Sequence, residues 1–181
     1  MDASERFTEL YARHHGDVRR YVARRVVGSD VGDVVAEIFL VAWRRLCDVP
    51  AESALPWLYG VARLVLANEV RGRRRWRELT LRVAAELDQP VVADHADEVI
   101  SQRDIAVAFD QVPDADREVL RLVAWEHLTA AEAAIVLGCS RATFAMRLMR
   151  ARRRFRSQLG VVGVETGRTP QTAPSMSNRG G

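Results

Sequence analysis

Seven arginines, at positions 141, 147, 150, 152, 153, 154 and 156, lie in a stretch where no Asp or Glu occurs between Glu132 and Glu165. Guanidinium groups without local counter-charge draw phosphate, and their planar fork fits phosphate oxygens and guanine edges better than an ammonium does. Lysine is absent, so all 27 basic residues of the chain are arginine. A second concentration, Arg71, Arg73, Arg74, Arg75 and Arg77 around Trp76, joins cations to an aromatic face on which a base can stack. The chemistry these residues offer is nucleic-acid binding, and the plainer readings are a basic helix docked on an acidic partner and a solvated charge run. Other reactive side chains are placed less usefully. His14 and His15 are neighbours that point apart on a helix, and no other His or Cys stands at ligand spacing, so no metal is expected. Asp33 and Glu37 lie one turn apart, but no nucleophile or Gly-rich phosphate loop accompanies them, so no catalytic residue and no cofactor is expected.

The elements that must carry the first arginine group can be read around it. Thr129 followed by Glu132 forms a capping box, and Ala130, Ala133, Ala134 and Leu137 make a narrow stripe of small apolar residues at helical spacing. Gly138 suits the left-handed residue past a helix end, and Ser140 can cap the helix that follows. In that second helix Phe144, Leu148, Ala151, Phe155 and Leu159 keep one apolar side. Helix, Gly turn and basic helix form the helix-turn-helix pattern. Arg141 and Thr143 lie in the first turn, where such helices meet base edges, and Arg150 to Arg156 lie further along, toward phosphates.

Upstream, Phe7, Leu10, Tyr11, His14, Val18, Tyr21 and Val22 predict a helix from 4 to about 26, with a break at Gly28. Ser29 or Asp30 can cap a second helix that buries Val34, Val35, Ile38, Phe39, Ala42 and Leu46. Cys47 to Ala54 reads as a loop, and Pro56 suits the first turn of a third helix turning Trp57, Leu58, Val61, Ala62 and Val65 inward. That helix runs into the second arginine group, and Leu79 to Leu87 can prolong it. Asp88 to Asp97 then forms the core of an acidic linker. Val99 to Phe109 and a helix starting at Pro113-Asp114, with Val119, Leu120, Val123 and Ala124 inward, lead to the helix-turn-helix. The expected fold is all-α: two small helical domains, 1–87 and 98–160, joined by an acidic linker at 88–97, the second ending in the helix-turn-helix. A disordered C-terminal tail is expected over 161–181, which is rich in helix breakers.

At 48% hydrophobic residues the 181-residue chain can bury a core, and its net charge is only +3. No run reaches the ~18 apolar residues of a membrane span, no signal peptide precedes the first helix, and the cysteines Cys47 and Cys139 are far apart. A reduced, cytoplasmic protein with no membrane insertion is expected.

Taken in order, these pieces resemble a bacterial sigma factor of the extracytoplasmic-function group, over Phe7 to Leu87 and Val99 to Leu159. The segment DVGDVVAEIFLVAWRRL from Asp30 is similar to the one that docks on the clamp helices of RNA polymerase, with Asp33, Glu37, Phe39 and Trp43 in matching positions. PWLYGVARLVLANEVRGRRRW from Pro56 is similar to the segment that melts and reads the −10 element, which implies roles for Trp57, Tyr59, Arg63, Asn68, Arg71 and Arg74. VPDADREVLRLVAWEHLTAAEAAIVLGCSRATFAMRLMRARRRF is similar to the −35-binding domain, which implies roles for Ser140, Arg141, Thr143, Phe144, Arg147, Arg150, Arg152 and Arg153. The resemblance also makes the loop Cys47 to Ala54 the pocket for a flipped base, and the linker the connector through the polymerase cleft. Leu64 stands where the family usually has Asn, Ala36 where it has Gln, and Ala145 and Met146 where a basic and a small polar residue are common.

The implied function is transcription initiation: binding core RNA polymerase and bringing it to promoter DNA, under the control of an anti-sigma factor or a stress signal. The alternative is a stand-alone helix-turn-helix regulator. The aromatic face at Trp57 and Tyr59 beside an arginine run, which a regulator does not need, separates the two.

Overall fold

The computed structural model describes residues 2–26, 31–81 and 102–166, and for 70, 72–81 and 161–166 the helical backbone alone. Helix α1, Ala3–Ala23, begins with a capping box in which Asp2 and Glu5 satisfy each other's backbone donors. It ends at Arg24, short of the expected residue 26, and the Gly28 break and the Ser29 or Asp30 cap lie outside the described residues. Helix α2, Val31–Arg44, buries Val34, Val35, Ile38, Phe39 and Ala42 as its periodicity predicts. Between α2 and α3 the expected loop folds into two short 3-10 turns, Leu46–Asp48 and Ala51–Ser53. Leu46 and Val49 are buried beneath it, and Arg6 of α1 donates to the Val49 carbonyl at 2.8 Å, which fastens the loop to the first helix.

Helix α3, Ala54–Leu81, is one 28-residue rod that carries the apolar face from Leu58 and the backbone of the arginine run without a break. Leu58, Val61, Ala62 and Val65 point inward as expected, and Trp57 is only half-buried. α1, α2 and α3 pack on each other as a three-helix bundle.

The second half comprises α4 (Gln102–Asp110), α5 (Asp114–Ala124), α6 (Ala130–Leu137) and α7 (Arg141–Thr166). In α5 the buried face is Val119 and Leu122, with Leu120 and Val123 half-buried and Ala124 exposed, so the inward face is rotated from the expected one. Thr129 and Glu132 close the expected capping box on α6, and Gly138 at φ +61 ends that helix in the left-handed region, which a residue without Cβ enters freely. Helix α7 packs on α4, α5 and α6, and its backbone stays helical to Thr166, beyond the expected domain end at 160. The acidic linker and the tail from 167 lie outside the described residues.

The two halves do not stand apart. α6 lies directly on α3, and one continuous apolar core runs from Leu10 and Phe39 through Leu58 and Val61 to Ala133, Val136 and Phe144.

Candidate nucleic-acid and polymerase interfaces

Asp33 and Glu37 are exposed on the outer face of α2, and Leu40 and Trp43 stand beside them at 46% and 45% exposure. Phe39, expected with them, is 3% exposed and acts as the floor of this face rather than as a contact. The floor is aromatic: Tyr11 packs on Phe39 at 4.7 Å between ring centroids, and Phe7 meets the Trp43 ring edge-on at 5.1 Å. Sequence reading placed Phe7 and Tyr11 on a buried helix face and so missed that Tyr11, 42% exposed, completes the surface. The result is two carboxylates beside exposed aromatic and aliphatic side chains, suited to a partner helix that is basic and partly apolar.

The residues expected at the −10 element are divided. Asn68 and Arg71 are exposed on α3, and the Arg71 guanidinium donates to the Asn68 side-chain carbonyl. Trp57 is half-buried with the Arg45 guanidinium 5.8 Å from its ring centre. The Arg74 side chain lies outside the described residues. Tyr59 and Arg63, in contrast, face the second half of the molecule. Tyr59 is 3% exposed and stacks on Tyr21 with centroids 4.4 Å apart, and Arg63 Nε donates to the Val136 carbonyl of α6 at 3.4 Å. Burial, and then the Glu126 carboxylate for Tyr59 and the Glu118 carboxylate for Tyr21, push both phenols far above their ordinary range, so both remain O–H donors.

Around this stack sits a clasp of ion pairs that sequence reading missed. Arg25, 6% exposed at its side chain, grips Glu118 through Nε at 3.0 Å and Nη2 at 3.2 Å, and reaches Glu126 through Nη1 at 2.8 Å. Tyr21 donates its hydroxyl to Glu118 at 2.9 Å, and Arg24 holds the other Glu126 oxygen at 3.0 Å. The partners are 93 to 102 positions apart in sequence, and no local pattern links them. The Arg25 guanidinium also lies 3.5 Å from the Tyr21 ring centre. Its pKa is raised: burial works against its charge, but Tyr21, Glu118 and Glu126 outweigh burial.

On the helix-turn-helix, Ser140 accepts from the Thr143 N–H at 3.1 Å as the expected cap, and the two hydroxyl oxygens are 2.9 Å apart. Phe144 has no exposed surface, so it anchors α7 to the core and cannot be a DNA contact. Arg141, Arg147, Arg150, Arg152 and Arg153 are exposed, while Arg154 is turned back to an ion pair with Asp116 of α5. Among the described residues, no cluster of His, Cys, Asp and Glu could hold a metal ion, and no helix is long and apolar enough to cross a membrane.

These two surfaces coincide with known family segments. Residues 10–76 match the family model for sigma-70 region 2, and residues 102–155 match the model for sigma-70 region 4. The RNA polymerase sigma factor NccH of Alcaligenes xylosoxydans xylosoxydans is 30% identical over 81% of this chain and 82% of that one. The ECF RNA polymerase sigma factor EcfG of Rhodopseudomonas palustris is 30% identical over 74% of this chain and 73% of its own length. This chain belongs to the extracytoplasmic-function sigma factors of RNA polymerase. A solved structure, CnrH in complex with the cytosolic domain of CnrY, is 25% identical, with a TM-score of 0.57 over 88% of this chain and 95% of that one. RpoE of Bartonella quintana, in complex with the anti-sigma factor NepR, shares the fold at a TM-score of 0.59 and 20% identity, over 86% of this chain and 97% of its own. The sigma factor described here therefore has its region 2 on α1 to α3 and its region 4 on α4 to α7.

Proposed function

We propose that this sigma factor binds core RNA polymerase through the α2 face around Asp33, Glu37 and Trp43, and carries it to a promoter as a cytoplasmic, non-catalytic specificity subunit. The observation that carries this reading is the pairing of an acidic-aromatic face on region 2 with an exposed arginine-lined helix in region 4. A stand-alone regulator uses the second and has no use for the first. On this reading Trp57, Tyr59, Arg63, Asn68, Arg71 and Arg74 of α3 read the −10 element, and Ser140, Arg141, Thr143, Arg147, Arg150, Arg152 and Arg153 hold the −35 duplex.

The described arrangement is then the form not engaged with a promoter, because Tyr59 is buried against Tyr21 and Arg63 is bonded to α6. Promoter binding requires α3 and α6 to part. The solved complex of RpoE of Bartonella quintana with the anti-sigma factor NepR supports control by an anti-sigma factor, which would hold or replace this closure. Run-off transcription with purified core polymerase, on promoter fragments from the source genome, tests the proposal. Transcripts from defined start sites only in the presence of the chain are expected. Absence of transcripts and of core co-purification, with duplex binding retained, would sink it.

A further inference from the structure

Phe144 and Ala151, neither with exposed surface, and half-buried Leu148 fix the side of α7 that faces the protein. At about 100° per residue, Met146 lies about 200° and Met149 about 140° around the helix from Phe144, on the side turned away from the body. They are 54% and 57% exposed, and exposed Ala142 and Ala145 border them. The outermost line of the first two turns is thus apolar. Arg141, which the sequence placed toward base edges, stands with Arg147 on opposite flanks instead, about 60° either side of the buried direction, where groove walls and their phosphates pass. The polar groups at the helix start, Ser140 and Thr143, are engaged with each other and with the Thr143 N–H.

An exposed apolar line between arginine flanks is matched by one feature of the major groove. Thymine presents a C5-methyl group there, and the other bases present hydrogen-bonding atoms. A thioether is polarisable and unbranched, so it can settle against a methyl group with little strain. We propose that this sigma factor selects its −35 element through thymine methyl groups packed against Met146 and Met149, with the flanking arginines holding phosphates. The inference rests on the reading above that α7 enters the major groove of the −35 duplex.

The test uses holoenzyme reconstituted from core polymerase and the full chain, on a promoter that it transcribes in the run-off assay. Each −35 thymine is replaced in turn by deoxyuridine, which removes the methyl group and nothing else. Binding should fall about fourfold at each thymine in contact, the equivalent of one buried methyl group. In holoenzyme carrying Met146→Ser and Met149→Ser together, dT and dU should bind alike. Circular dichroism of that exposed double variant should match the parent. If the parent holoenzyme initiates yet binds dT and dU equally at every −35 position, the methyl readout is overturned and the sigma reading stands. A dT preference unchanged in the double variant would also overturn it, by assigning the methyl contact to other residues. Failure to initiate at any promoter sinks the sigma reading and takes the methyl proposal with it.

Discussion

Arg25 carries a charge to a place where 6% of its side chain meets solvent, between Glu118 at 17% and Glu126 at 2%. Three charges sharing so little water are stable together and costly apart, since the one left behind loses its partner without regaining its hydration. Arg25→Ala should therefore lower unfolding stability by about 3–5 kcal/mol in urea titrations. Adding Glu118→Gln and Glu126→Gln should recover most of that loss, because neutral amides need no counter-charge. A triple variant as unstable as the single one would show that Arg25 acts through packing on the Tyr21 ring. Asp33 belongs to the opposite regime. It is exposed, so reversing its charge should leave the fold alone and act only on a partner. Asp33→Arg should weaken association with core polymerase at least about tenfold in a pull-down titration, with an unchanged circular dichroism spectrum. Normal association would remove the α2 face from the proposed interface.

Among the elements, the turn from α6 to α7 offers the cleanest separation of backbone from side-chain effects. A Cβ on Gly138 would touch nothing within 4 Å, yet φ there is +61. Gly138→Ala should thus cost about 1–2 kcal/mol from backbone conformation alone, read as a lower thermal midpoint. An unchanged midpoint would mean that the turn relaxes into another conformation. Gly138 was legible because glycine past an apolar stripe marks a helix end. The other left-handed residue among those described, His127 at φ 54 between α5 and α6, was not, because no glycine or helix-end pattern marks it. Similar reasons explain the rest. Period located α2, and period and caps located α6 and α7, because each buries a continuous stripe against its neighbours. The face of α5 was misjudged because Leu120, Leu122 and Val123 are all apolar, and only packing chooses Leu122. Phe39 and Phe144 fall on the apolar stripes of their helices, so period already marked them as buried, whereas the burial of Tyr59 against Tyr21 could not be seen from its position among binding residues. Glu118, Glu126 and Arg25 carry no local signal in the sequence, since the pairs they form close only when two halves of the chain meet.

For the molecule as a whole, the balance between closed and open arrangements turns on the seam between α3 and α6 and on the Arg25 clasp. A Cβ on Gly60 would meet the Val136 carbonyl at 3.6 Å and the Ile135 carbonyl at 3.9 Å, ordinary van der Waals distances, so Gly60→Ala should leave α6 seated on α3. A leucine side chain is larger than that Cβ by three carbons, beside the α6 backbone. Gly60→Leu should force the helices apart, and small-angle scattering should report a larger radius of gyration for Gly60→Leu than for Gly60→Ala. Affinity for a partner that binds only the open form scales with the fraction of molecules that are open, so every 1.4 kcal/mol taken from closure tightens apparent binding about tenfold until the open form dominates. Arg25→Ala, which weakens the clasp and alters no residue proposed to read DNA, should accordingly raise holoenzyme formation at limiting protein concentration while leaving the transcription start sites unchanged. If it expands the free protein but leaves holoenzyme formation at the parental level, closure is a property of the isolated chain that polymerase overcomes at no measurable cost.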